Sequence, residues 1–175
     1  MKYRSKVLAP DQGEAIDRTL SSIMIVTPAQ TAHPRSWPLG DSIIARCAGL
    51  GPVRTAVVHP SDAVAIESAA RAADLGLIAP VLVGPEAKIR AAAAAAGVDI
   101  SRFPLIATPH SHAAAARAVA MARAGEVQLL MKGSLHTDEL MHAVLAADTG
   151  LQTGRRVSHV YLMQTPAYPR PELSG

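Results

Sequence analysis

The stretch Thr55–Gly84, TAVVHPSDAVAIESAARAADLGLIAPVLVG, decides how this chain folds. An apolar, β-branched run ends at His59-Pro60, a stretch of helical period follows, and a second apolar run closes on Gly84. In the middle stretch Glu67, Arg71 and Asp74 fall at i, i+4 and i+7, one polar stripe on an otherwise Ala, Val and Ile surface. Asp62 stands where a carboxylate caps the first turn, and Gly76 where a left-handed residue closes the last. Strand, helix, strand at this spacing makes a βαβ unit, in which the crossover helix lets the two strands run parallel.

The same alternation extends on both sides of this unit. The pattern predicts helices near 41–48, 62–75, 86–96, 111–124 and 137–147, and strands near 55–59, 81–83, 105–107, 127–131 and 158–163. Gly97, Gly125 and Gly150 stand just past helical patterns, as Gly76 does, and are expected to adopt the same left-handed cap. The fold class expected is α/β: an open, mostly parallel sheet with helices on both faces, over residues 41–175. Residues 1–40 read differently, with Pro10, Pro28, Pro34 and Pro38 and a single strand-like run at Ser21–Val26. They are expected to form a poorly ordered leader or linker.

Composition narrows the function classes. Of 175 residues, 49% are hydrophobic and only 3% aromatic, and 34 are alanine, so the core is built from small aliphatic side chains on closely packed helices. The net charge of +3 is spread along the chain, with no basic block and few aromatic platforms, which argues against nucleic-acid binding and fits a small anionic ligand. No apolar run is long enough to span a bilayer, and residues 1–40 lack the regions of a signal peptide. A lone Cys47 excludes an internal disulfide framework and a multi-cysteine zinc site. It is expected as a buried, inert thiol in a cytoplasmic protein. The seven histidines include no H-E-x-x-H pair, and His110 and His112 have no thiolate nearby, so no metal is expected.

Chemistry concentrates in two segments. In Leu130–Leu140, LMKGSLHTDEL, an apolar strand runs into a short loop and then a helix. Ligands of open α/β sheets bind beyond the carboxyl ends of strands, where Lys132 and Gly133 stand. Lys132 supplies a charge, Gly133 lets backbone N–H groups approach an anion, and Ser134 and Thr137 add hydroxyls at a helix N-terminus. Asp138 and Glu139 in the first turn oppose an anion, and a plain βα turn capped by Thr137 accounts for the same residues. In Thr153–His159, TGRRVSH, Arg155 and Arg156 offer guanidinium forks and Ser158 a hydroxyl. Adjacent side chains on an extended segment point to opposite sides, so one arginine at most faces a given pocket, and a solvated pair is the plainer account. G-x-x-x-x-G-K, G-x-S-x-G and G-x-G-x-x-G are all absent, which weakens nucleotide-hydrolase, serine-hydrolase and dinucleotide-oxidoreductase readings.

The wording of several segments goes further than their periodicity. VVHP at 57–60, LIAPVLVG at 77–84, MKGSLHTDEL at 131–140, GRRVSHV at 154–160 and PAYP at 166–169 together resemble the phosphate acetyl/butyryltransferase family. They look most like the acyltransferase half of bifunctional enoyl-CoA hydratase/phosphate acetyltransferase proteins. The resemblance covers roughly residues 41–170. It implies two α/β lobes with the site in the cleft between them, and reversible acyl transfer from coenzyme A to phosphate, with coenzyme A as substrate and neither cofactor nor metal. It also implies that this chain holds the first lobe, an incomplete and inactive domain whose missing second lobe carries the proposed carboxylate base, a Ser-Arg pair and much of the coenzyme A site. His142-Ala143 stands where many single-function members carry Arg-Pro, so one anion contact departs from the family pattern, and Arg155 or Arg156 is a replacement for it. A homodimer or a complementing second lobe is the partner expected. A non-catalytic module that binds acyl-CoA or acyl phosphate is the alternative.

Overall fold

In the computed structural model, residues 38–153, 157–158, 160–165 and 168–174 are described. Among them the chain runs α1 (Pro38–Cys47), β1 (Val53–Val58), α2 (Ala63–Asp74), β2 (Ile78–Gly84), α3 (Glu86–Ala96), β3 (Leu105–Ala107), α4 (Ser111–Arg123), β4 (Leu129–Lys132), α5 (Thr137–Val144), β5 (Tyr161–Thr165) and β6 (Tyr168–Ser174). The first four strands form an all-parallel sheet in the order β3-β2-β1-β4. The α/β architecture read from the sequence is therefore the one observed.

The sheet is buried on both faces, as parallel sheets covered by crossover helices must be. Val57 and Leu82 pack with Ile66, Ala69 and Ala72 of α2 and Ile89, Ala92 and Ala93 of α3. Ala56, Val58, Val81 and Val83 point the other way, onto Ala114, Ala115, Ala118 and Met121 of α4 and Leu140 of α5. Alternation along β1 thus feeds two cores, and alanines on the facing helices allow close approach. The stripe of Glu67, Arg71 and Asp74 faces solvent, joined there by Val64 at 71% exposure, and the Asp62 carboxylate accepts the Ala65 N–H at 2.7 Å.

Some details differ from expectation. Helix α1 starts at Pro38, three residues ahead of 41, because proline's fixed φ suits the first helical turn. Strand β2 runs through Pro80 instead of starting after it. Gly76, Gly97 and Gly125 adopt positive φ, but Gly150 does not: helix α5 has already ended at Val144, and Gly150 is packed against the Val144 and Ala146 carbonyls where a Cβ has no room. Cys47 is half-buried. The expected strand at 158–163 begins at Tyr161 and leaves the parallel series, pairing antiparallel with β6 in a separate two-stranded sheet. Two residues separate β5 from β6, enough for an antiparallel return and far too few for a parallel crossover.

Candidate functional site

The strand order places a topological switch between β1 and β4. From β1 the chain winds through α2 and α3 out to β3, then returns through α4 to add β4 on the other side of β1. Helices α2 and α5, which follow these two neighbouring strands, lie on opposite faces, and a switch of this kind is where ligands of open α/β sheets bind.

Three hydrogen bonds tie those ends together. The Gly133 N–H donates to the Val58 carbonyl at 2.9 Å, and the Ser134 N–H to the His59 carbonyl at 2.9 Å. The Ser61 N–H in turn donates to Ser134 Oγ at 3.0 Å. Gly133 is obligatory here, since a Cβ would lie 2.6 Å from the Val58 oxygen and 2.7 Å from the His59 oxygen. Two amides that the sequence offered to an anion are therefore engaged with the end of β1 and the residue after it. What the loop presents is the half-buried Lys132, whose Nζ donates to the Gly133 carbonyl at 3.2 Å, and the exposed Ser134, whose O–H remains a donor once its oxygen has accepted from Ser61.

Thr137 is not the cap of α5. His136 holds that position without a side-chain cap bond, and Thr137 is the first helical residue, its Oγ1 buried and without a partner among the described residues. The reason lies one step back: Leu135 is anchored in the core at 3% exposure, so the chain turns into the helix directly after it. Glu139 is drawn away from the loop, accepting the Ser111 hydroxyl at 3.3 Å and lying 3.4 Å from His112 Nδ1, while Asp138 faces solvent. His110 caps α4, its Nδ1 accepting the Ala113 N–H at 3.2 Å. No group of three or more His, Cys, Asp or Glu side chains suited to a metal occurs among the described residues.

Of the second segment, Arg155 and Arg156 lie outside the described residues. Ser158 is exposed and makes no hydrogen bond to the 132–137 loop among the described residues. The residue that sequence reasoning passed over is His59. It is 9% exposed, its φ of 55° is left-handed, and its Nδ1 is buried without a partner among the described residues. Burial first, then the Lys88 ammonium, holds its imidazole below the ordinary value, and Glu139 partly opposes them. The available signal was a histidine before proline at a strand end, with Gly84 and Gly133 at the ends of the two flanking strands. A Cβ on Gly84 would come within 3.2 Å of His59 Cα.

Fold and site together define an open α/β protein with a lysine-bearing loop at its switch point. Comparison with known proteins narrows this class. No family model matches the chain. The phosphate acetyltransferase of Rhizobium meliloti is 53% identical over 136 residues, which are 75% of this chain and 43% of that protein. The phosphate acetyltransferase of Rickettsia typhi is 46% identical over 130 residues, 74% of this chain and 37% of that protein. The phosphate butyryltransferase of Clostridium acetobutylicum is 30% identical over 117 residues, 67% of this chain and 39% of that protein. The chain belongs to the phosphate acetyl/butyryltransferase family, and it spans about two-fifths of the length of these relatives. No helix among the described residues is long and apolar enough to cross a membrane.

Proposed function

We propose that this chain supplies the phosphate-holding lobe of a phosphate acyltransferase, with acyl-CoA and inorganic phosphate as substrates and acyl phosphate and coenzyme A as products. The observation that carries the reading is the Lys132–Ser134 loop at the β1/β4 switch in a chain 53% identical to a phosphate acetyltransferase. In the direction of acyl-CoA synthesis the thiolate of coenzyme A attacks the acyl carbon, the acyl C–O bond breaks, and phosphate leaves with the electron pair. The Lys132 ammonium neutralises charge gathering on the leaving phosphate, and the Ser134 hydroxyl donates to one of its oxygens. Arg155 or Arg156 adds a guanidinium and Ser158 a further hydroxyl, while the buried Thr137 hydroxyl stays out of the ligand's reach. Coenzyme A acts as substrate, and the chemistry needs neither cofactor nor metal. The protein works in the cytoplasm, paired with a second copy or with a complementing lobe.

Because the matched part is about two-fifths of each relative, the 175-residue chain is expected to bind phosphate without turning over. The test mixes it with the remaining portion of the Rhizobium meliloti enzyme and follows thiol release from acetyl-CoA in phosphate. Turnover that appears only in the mixture, and falls when Lys132 is replaced by alanine, supports the proposal. A chain that shows no phosphate-dependent NMR shifts and no turnover in the mixture overturns it.

A further inference from the structure

We infer that His59 is a positioning residue for the anion loop, acting through its left-handed backbone on Ser134. The inference rests on reading that loop as the phosphate site. His59 combines costs that a merely structural position would shed: a positive φ without being glycine, a following proline that favours extended backbone, and a buried ring nitrogen without a partner among the described residues. The unusual turn has a definite product. The His59 carbonyl accepts both the Ser61 N–H and the Ser134 N–H at 2.9 Å, and the Ser61 N–H also reaches Ser134 Oγ at 3.0 Å. Residues 59 and 61 thereby grip Ser134 by its amide and its hydroxyl oxygen at once.

That grip settles what Ser134 can offer. Its amide is used and one lone pair of its oxygen is occupied, so its O–H is left to donate outward, beside Lys132. An extended His59 would turn its carbonyl away and release both contacts. The neighbours are cut to fit, with Gly133 passing where any Cβ would strike the His59 carbonyl and Gly84 placed where a Cβ would come within 3.2 Å of His59 Cα. The imidazole fills the corner, and the backbone carries the function.

The experiment uses the full chain, inorganic phosphate as the probe, and two readouts: the phosphate dissociation constant from amide shifts, and hydrogen-exchange protection of the Ser134 amide. Asparagine tolerates the left-handed region and β-branched valine resists it. His59→Asn should keep Ser134 protection and phosphate affinity within about twofold, whereas His59→Val should lose the protection and weaken phosphate by about five- to tenfold. If His59→Val does not fold, His59→Ala takes its place and should fall between the other two. An Asn variant that loses phosphate while Ser134 stays protected shows the imidazole itself touching the ligand and overturns the inference, as does a Val or Ala variant with wild-type protection. If the unmodified chain shows no phosphate shifts, the phosphate reading fails separately, and Ser134 exchange alone decides whether His59 sets the loop.

Discussion

The amide of Ser134 meets the carbonyl of His59 at 2.9 Å, joining the loop after the last strand of the parallel sheet to the loop after the first. Through this bond the chemistry of the 132–137 segment depends on a backbone conformation at residue 59, and stability, pH response and ligand binding all converge on one corner.

The first consequence concerns acid. His59 titrates below its ordinary value of 6.5 in the folded chain, so the unfolded chain binds the proton more readily. Its contribution to stability is complete above that value and is lost as pH falls through the window below it. Lys88 from α3 and Glu139 from α5 face it with opposite effects, and burial is the larger cause. Urea midpoints measured from about pH 8 to about pH 5 should fall, and His59→Asn should flatten the decline. Parallel declines in both proteins would assign the acid sensitivity to other groups.

The glycines at 133 and 97 should respond differently to alanine. At Gly133 the new methyl meets backbone atoms of Val58 and His59 at 2.6 to 2.8 Å, and neither strand can retreat without breaking the ladder. A loss of about 3 kcal/mol or more is expected, with the 132–137 amides losing protection. Gly97→Ala enters open space with only the cost of its φ of 66°, about 1 kcal/mol. Equal losses in chemical denaturation would contradict this account of Gly133.

Lys132→Ala tests the loop as an anion site. Lys132 is half-buried and, among the described residues, its ammonium is bonded to its neighbour's carbonyl alone, so the melting temperature should change little. Phosphate binding, expected near about 1 mM because an open site leaves each charge contact worth about 1 kcal/mol, should weaken several-fold. In the NMR titration the shifts should centre on 132–137. Shifts centred on Arg155 and Arg156 would move the site to that segment, and a Lys132→Ala chain that no longer folds would make the lysine structural.

Asp62 offers a test remote from ligand binding. Its carboxylate caps α2 by accepting the Ala65 N–H at 2.7 Å, and the next residue but one before it, Pro60, is fully buried at the same turn. Asp62→Ala should cost about 1 kcal/mol in urea denaturation, and Asp62→Ser should restore most of it. A serine variant no better than alanine would mean that the cap bond contributes nothing.

Sequence legibility followed the reach of the forces involved. Helix α3 and strand β3 have the bounds that the pattern predicts, because Pro85, Gly97 and Pro104 punctuate them locally. Pro80 hid the first half of β2, since proline donates no hydrogen bond and reads as a break. Helix α5 was overextended because Ala146 and Ala147 keep helical composition after the chain has turned at Leu145. The strand-end position of the Lys132 loop was legible from an apolar run meeting lysine and glycine. The engagement of its amides was not, because their acceptors, Val58 and His59, lie at the end of a strand remote in sequence and in the loop after it. His59 was missed for the same reason: locally it is a histidine before a proline, and its backbone is set by Gly84 and Gly133 arriving from two other strands.

The order β3-β2-β1-β4 also sets a timetable for the nascent chain. Ser61 and Ser134 are 73 residues apart, a gap that a ribosome crosses in roughly 4 to 15 seconds at about 5–20 residues per second. During that interval β1, an inner strand of the finished sheet, is an outer one, with the carbonyls of Val58 and His59 facing nothing on that side. A ribosome that pauses ahead of Gly133 therefore displays the edge of a strand that the finished sheet buries from Thr55 to Val58, and this edge is where a chaperone would bind or where neighbouring nascent chains would begin to aggregate.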